Sequence, residues 1–118
     1  MNQDDDHNQI EVPPSFLALF TDPRRQRLTA PPATVRARYE LCEDLASHLA
    51  GQAQSVHQDT PAEQQAFLRQ CHDGLRMPAA GVAEGEAAWV VWRLAELLDW
   101  PPLAGLAGLP GLPGGESW

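Results

Sequence analysis

Apolar residues recur at helical spacing in three stretches of this 118-residue chain. In the first, Val35, Tyr39, Cys42, Ala46, Leu49 and Ala53 fall on one stripe with a period near 3.6, and Arg36, Glu40, Glu43 and Asp44 fall opposite. Thr29 stands where it could cap this helix, whose first turn tolerates proline. The second opens on Thr60-Pro61-Ala62-Glu63: a threonine cap, proline at the first helical position and glutamate closing a capping box. Its apolar face is Phe67, Leu68, Cys71 and Leu75, and Pro78 ends it. The third runs from about Ala83 to Asp99 and stops at Trp100-Pro101-Pro102. The spacing therefore predicts helices near 31–52, 60–76 and 84–99, and no alternating strand pattern competes.

The third helix is apolar almost all the way round. At 100° per residue, Ala87, Val90, Val91, Leu94, Leu97 and Leu98 gather on one side, wide enough to be a core stripe. Trp89, Trp92 and Trp100 fall on the other side, beside Arg93, Glu96 and Asp99. Two explanations fit this second apolar surface. The helix is central and its rings cover Phe16, Leu19 and Phe20, each indole N–H finding a partner at the domain edge. Alternatively, part of the surface is uncovered and meets another protein or another copy, a role for which Trp and Arg are enriched. The two coexist if a two-fold dimer buries the outermost ring.

The flanks read differently. "VPPSFLALF" predicts a short N-terminal helical turn after two prolines, and "TDPRRQRLTAPP" predicts a loop from its proline content. Residues 1–12 are polar and acidic without periodicity, which predicts a disordered tail. From Gly105 to Gly114 a glycine stands at every third position, too short a run for collagen, so 103–118 reads as a flexible Gly/Pro/Leu tail. The expected architecture is all-α: a small bundle of three main helices plus the short N-terminal turn, one domain over 13–102 between disordered tails.

Charge and composition narrow the chemistry. The net charge is −8, which disfavours nucleic acid and anionic lipid as partners. All basic residues are arginine; without lysine, the usual P-loop phosphate contact and Schiff-base chemistry are both lost. Residues 22–38 concentrate five arginines against Asp22, a local +4, leaving −12 elsewhere. Arg24, Arg25 and Arg27 are thus candidate contacts for an anionic ligand: RNA, an acidic partner, or the acidic tail of a second copy. No aromatic is interleaved with them, as RNA readers usually have. No apolar run reaches membrane-spanning length, and the N-terminus lacks a signal peptide's basic start and apolar core, so a cytoplasmic protein is expected.

Catalytic constellations are thin. Cys42, His48, His57, Cys71 and His72 supply zinc-ligand types at spacings that match no finger, ribbon or knuckle, and His7 beside Asp4, Asp5 and Asp6 sits in the tail. Cys71 with His48 or His57 is the one nucleophile pair that can be written down, without a local activating turn. Glu40, Glu43 and Asp44 lie on a helix face that reads as solvated charge. We therefore assign no catalytic residue, metal ligand or cofactor.

Three segments, "VPPSFLALF", "ARYELCEDLA" and "WVVWRLAELLDWP", together resemble a small family of proteobacterial helical proteins of unassigned role, some labelled "ATPase with chaperone activity". The resemblance spans most of residues 12–102 and implies a compact, helical, bacterial, cytoplasmic domain; no nucleotide motif in this chain supports the ATPase label. The expected function is a non-enzymatic protein–protein interaction or adaptor module that self-associates, as a homodimer for example, through Trp89, Trp92, Arg93 and Trp100. The alternatives are a small Cys/His-dependent enzyme, or a binder of RNA or an acidic ligand through the Arg24–Arg38 region.

Overall fold

The structure, a computed structural model, describes residues 12–55 and 58–106. The expected tails lie outside these residues except for residue 12 at one end and 103–106 at the other. Three main helices form: α2, Pro32–Gln54; α3, Pro61–Leu75; and α4, Glu84–Leu98. A short α1, Pro14–Leu17, precedes them and runs into a 3-10 turn, Ala18–Phe20. The fold is small and all-α, as the periodicity predicts.

The helix starts follow local chemistry. The Thr60 hydroxyl accepts from the Glu63 N–H at 3.1 Å, and the Glu63 carboxylate accepts from the Thr60 N–H at 3.2 Å, which is the reciprocal capping box. α2 starts otherwise than expected. Its cap is Pro31, with no side-chain bond, because Thr29 is used elsewhere. The Thr29 N–H and hydroxyl both donate to the Phe20 carbonyl.

That contact belongs to a feature the periodicity missed. The expected loop contains a two-stranded antiparallel hairpin, β1 Thr21–Asp22 and β2 Arg27–Leu28, in register Thr21↔Leu28 and Asp22↔Arg27. Two-residue strands are too short to carry an alternating pattern. The turn closes instead on Asp22, whose side chain accepts from the Arg24 N–H at 2.9 Å, with Gln26 in the left-handed region at φ 55°.

α4 lies at the centre, between α2 and α3. Glu86 to Val91 are all buried, followed by Leu94 and Ala95. Val35, Cys42 and Ala46 face it from α2, Leu68 and Leu75 from α3, and Phe16 from α1. The second half of α4 is covered on fewer sides. Leu97, expected on the core stripe, is 39 % exposed, and Leu98 is only partly buried. Asp99 then takes the left-handed conformation (φ 61°), and the Trp100 N–H returns to the Ala95 carbonyl at 2.9 Å, a helix stop of the kind glycine usually makes. The packed chain continues beyond the expected boundary at residue 102. Leu103 is buried, and the Gln65 side chain holds that segment through the Pro102 carbonyl and the Ala104 N–H.

Candidate functional site

Only one of the three described tryptophans is fully enclosed, and it is the first. Trp89 is 1 % exposed. Its ring stands edge-on to Phe16 (centroids 5.1 Å) and Tyr39 (5.8 Å), and its indole N–H donates to Ser15 Oγ at 3.0 Å. Trp89 thus follows the first of the two explanations, covering Phe16 with its N–H satisfied, and its expected place on an outward contact surface is corrected. The N-terminal segment lies across that side of α4, and Ser15 satisfies the N–H that would otherwise need water. Trp100 is placed by the Asp99 turn on the opposite flank, edge-on to Phe67 of α3 at 6.0 Å. It does not join the other rings in one patch.

Trp92 remains partly uncovered. It lies one turn along from Trp89, ring centroids 6.3 Å apart, and both rings line a groove of about 300 Å³ with Pro13, Ser15, Tyr39, Glu43, Arg93 and Glu96. A shallow extension, about 280 Å³, continues over Tyr39 and Glu43 to Glu40 and Asp44 on α2. The site thus spans the α2–α4 seam and the N-terminal segment. Sequence reasoning did not place Pro13, Ser15, Tyr39, Glu43 or Glu96 in a contact site; Tyr39 read as core stripe, and Glu43 as solvated charge, although it is held by Arg93. Tyr39 and Glu43 are one helical turn apart, which is a legible signal, but their convergence on Trp92 and Arg93 is a tertiary fact.

Arg93 gives one wall its rigidity. Its Nε donates to Glu43 Oε1 at 2.9 Å and its Nη2 to Glu43 Oε2 at 3.0 Å, the two-pronged geometry that suits guanidinium and carboxylate. Nη1 donates to Glu96 at 2.7 Å. These hydrogen bonds, Glu43's foremost, raise its pKa. Tyr39 is also raised, by burial first and by Glu43 second, so its phenol stays protonated and neutral at physiological pH. The groove therefore has an aromatic floor, four carboxylates along its rim and a single cation already held by two of them.

The basic stretch is divided by the fold. Arg24, Arg25 and Arg27 stand exposed on the hairpin. Arg38 is withdrawn from them: its Nε and Nη2 grip the Glu86 carboxylate at 2.9 and 2.7 Å, and Nη2 also reaches the Gly81 carbonyl at 3.0 Å. Among the described residues, Glu86 is the one charged side chain that the core encloses, 4 % exposed. Its carboxylate also accepts the Ala83 N–H at 2.8 Å. Burial alone would raise its pKa; the bonds from Arg38 and Ala83 outweigh burial and hold it below the ordinary value.

The cysteines are free, and burial governs both. The Cys42 thiol is pushed up to about 12, by burial first and by the nearby Glu86 charge, and Cys71 to about 11 by burial. Little thiolate exists at neutral pH, so neither is an activated nucleophile. His72, lowered chiefly by burial, is neutral at pH 7. His48 meets Gln52 at 3.2 Å, and His57 lies outside the described residues. Among the described residues, no group of three or more His, Cys, Asp or Glu side chains is arranged to hold a metal ion, and no helix is long and apolar enough to cross a membrane. Ellman's reagent should leave both thiols unreacted over minutes in native protein and titrate both after urea; rapid native labelling of Cys71 would instead point to covalent chemistry there. Comparison of the chain with protein-family models, curated proteins and solved structures found no match.

Proposed function

We propose that this domain is a non-enzymatic protein–protein interaction module whose contact surface is the groove along the α2–α4 seam. The observation that carries the reading is Trp92: a large ring left partly uncovered in a groove one wall of which is already held rigid by Arg93. Hot spots of protein interfaces favour Trp, Tyr and Arg, and Trp92, Tyr39 and Arg93 are that set within one depression. Glu43 and Glu96 hold Arg93 in place before anything binds, which lowers the ordering cost of association. Trp89 is part of the floor but is almost wholly covered, so it supports Trp92 more than it offers surface. Trp100 serves the α3–α4 packing.

Enzymatic readings lack a comparable anchor. Cys42 is buried and Cys71 half-buried, both thiols are protonated, and the Glu43 carboxylate is tied up by Arg93. Substituting Trp92→Ala tests the proposal. Association, with another copy by light scattering or with a co-purifying protein by affinity capture, should weaken by about tenfold or more, while the far-ultraviolet dichroism of the helices is retained. Association that is unchanged in a folded Trp92→Ala protein would count against the groove as the contact surface.

A further inference from the structure

The rim of the groove and the hairpin carry opposite charge, and each is left open by the rest of the domain. Glu40, Asp44 and Glu96 are exposed along the rim, with Glu43 between them and Arg93 as their one cation. On the hairpin, the Arg24 and Arg27 guanidinium groups have no carboxylate partner among the described residues, and the Arg25 guanidinium touches Asp22 only at 3.9 Å with its side chain 76 % exposed. We propose that the groove is occupied by the arginine hairpin of a second copy of this chain.

This inference rests on the interaction reading above and names its occupant. Three lines of chemistry converge on it. A guanidinium stacks on an indole or phenol face while its edge donates to carboxylates, and the groove offers Trp92 and Tyr39 beneath such a rim. The hairpin presents its arginines on a closed turn, braced by Asp22 and Thr29, so little flexibility is lost on docking. The basic patch is also confined: residues 22–38 are net positive in a chain that is otherwise strongly acidic. A copy approaching another is therefore attracted in one orientation and repelled in most others.

The test is sedimentation velocity on the full chain, from about 10 µM to about 1 mM, a range set by the modest strength of exposed ion pairs. The wild type should associate with rising concentration. Raising salt from about 0.1 M to about 1 M shortens the screening length from about 10 Å to about 3 Å and should weaken association about tenfold. A groove variant, Glu40→Arg with Asp44→Arg, and a hairpin variant, Arg24→Glu with Arg25→Glu and Arg27→Glu, should each be monomeric and folded. Mixed in equal amounts they should associate again, because each then offers the charge that the other lacks. The altered side chains are exposed, and the Asp22 side chain hydrogen-bonds only the backbone of Arg24 and Arg25, the Arg25 guanidinium adding just an exposed 3.9 Å ion pair, so folding should survive. A wild type that stays monomeric throughout, or either variant associating like the wild type, overturns the proposal. Association that survives the groove variant but is lost in Asp4→Asn with Asp5→Asn and Asp6→Asn also overturns it, in favour of the acidic tail as the arginines' partner. A monomeric wild type that still captures a protein in a Trp92-dependent way would remove the second copy as occupant and leave the interaction reading standing.

Discussion

Trp89→Ala should cost the domain about 4 kcal/mol of unfolding free energy, within the range of about 3–5 for truncating a buried tryptophan. The indole meets three aromatic rings and donates to Ser15, so truncation removes packing and leaves a hydroxyl without its donor. Neighbours cannot collapse into the space cheaply, because Phe16 and Tyr39 are held by their own helices. A domain of this size has about 5–15 kcal/mol in total, so the variant should be partly unfolded well below the wild-type midpoint. Urea denaturation followed by circular dichroism reads the change as a lower midpoint at constant slope. A loss below about 1 kcal/mol would mean that the ring does not sit in the core. The contrast with Trp92→Ala is diagnostic. One turn apart on the same helix, the first substitution should cost chiefly stability and the second chiefly association.

Glu86→Ala should cost about 3 kcal/mol. Breaking an enclosed ion pair by deleting one partner costs about 3–5 kcal/mol; the lower end applies because the Arg38 side chain is 32 % exposed and can recover water. The substitution also strands the Ala83 N–H at the start of α4 and loosens the strap from Arg38 to Gly81. Glu86→Gln should cost less, since the amide keeps the volume and one acceptor oxygen. The pH dependence has a definite sign. Glu86 titrates lower in the folded than in the unfolded chain, so its contribution is complete above the ordinary carboxyl value of 4.5 and is lost as pH falls through the lower folded value. Wild type and Glu86→Ala should therefore differ most at neutral pH and converge in acid, as urea midpoints measured across pH 3–7 would reveal. A constant difference across that range would mean that the carboxylate charge is not what matters.

The pair also explains how the bundle is pinned. Hydrophobic stripes allow a helix to slide or rotate by a residue at modest cost, whereas a two-pronged guanidinium–carboxylate contact fixes one register. Arg38–Glu86 and Arg93–Glu43 tie α2 to α4 at two points, the first beside the core and the second at the groove. The clamp that shapes the proposed contact surface is thus also part of what positions α2 on α4.

Periodicity alone located the three main helices to within a few residues, and residues 60–63 alone specified how α3 begins, because a capping box is written in four consecutive positions. The stripe of α2 was equally legible: Val35, Cys42, Ala46 and Ala53 are all buried. Local sequence determines such features because their partners are a turn away. The assignment of Trp89 to the core and Trp92 to the surface could not be decided this way. Both rings lie on the side of α4 away from the aliphatic stripe, and only the crossing of Phe16 and Ser15 over the first half of that helix separates them. Nor could local pattern foretell the enclosure of Glu86, whose partner Arg38 stands 48 residues earlier, or the binding of Arg93 to Glu43, 50 residues away. The amino-acid order determined which elements form and which faces are apolar; the tertiary structure decided which apolar and charged groups are covered. Burial depends on what other segments of the chain lie over a residue, and a helical wheel contains no information about its neighbours.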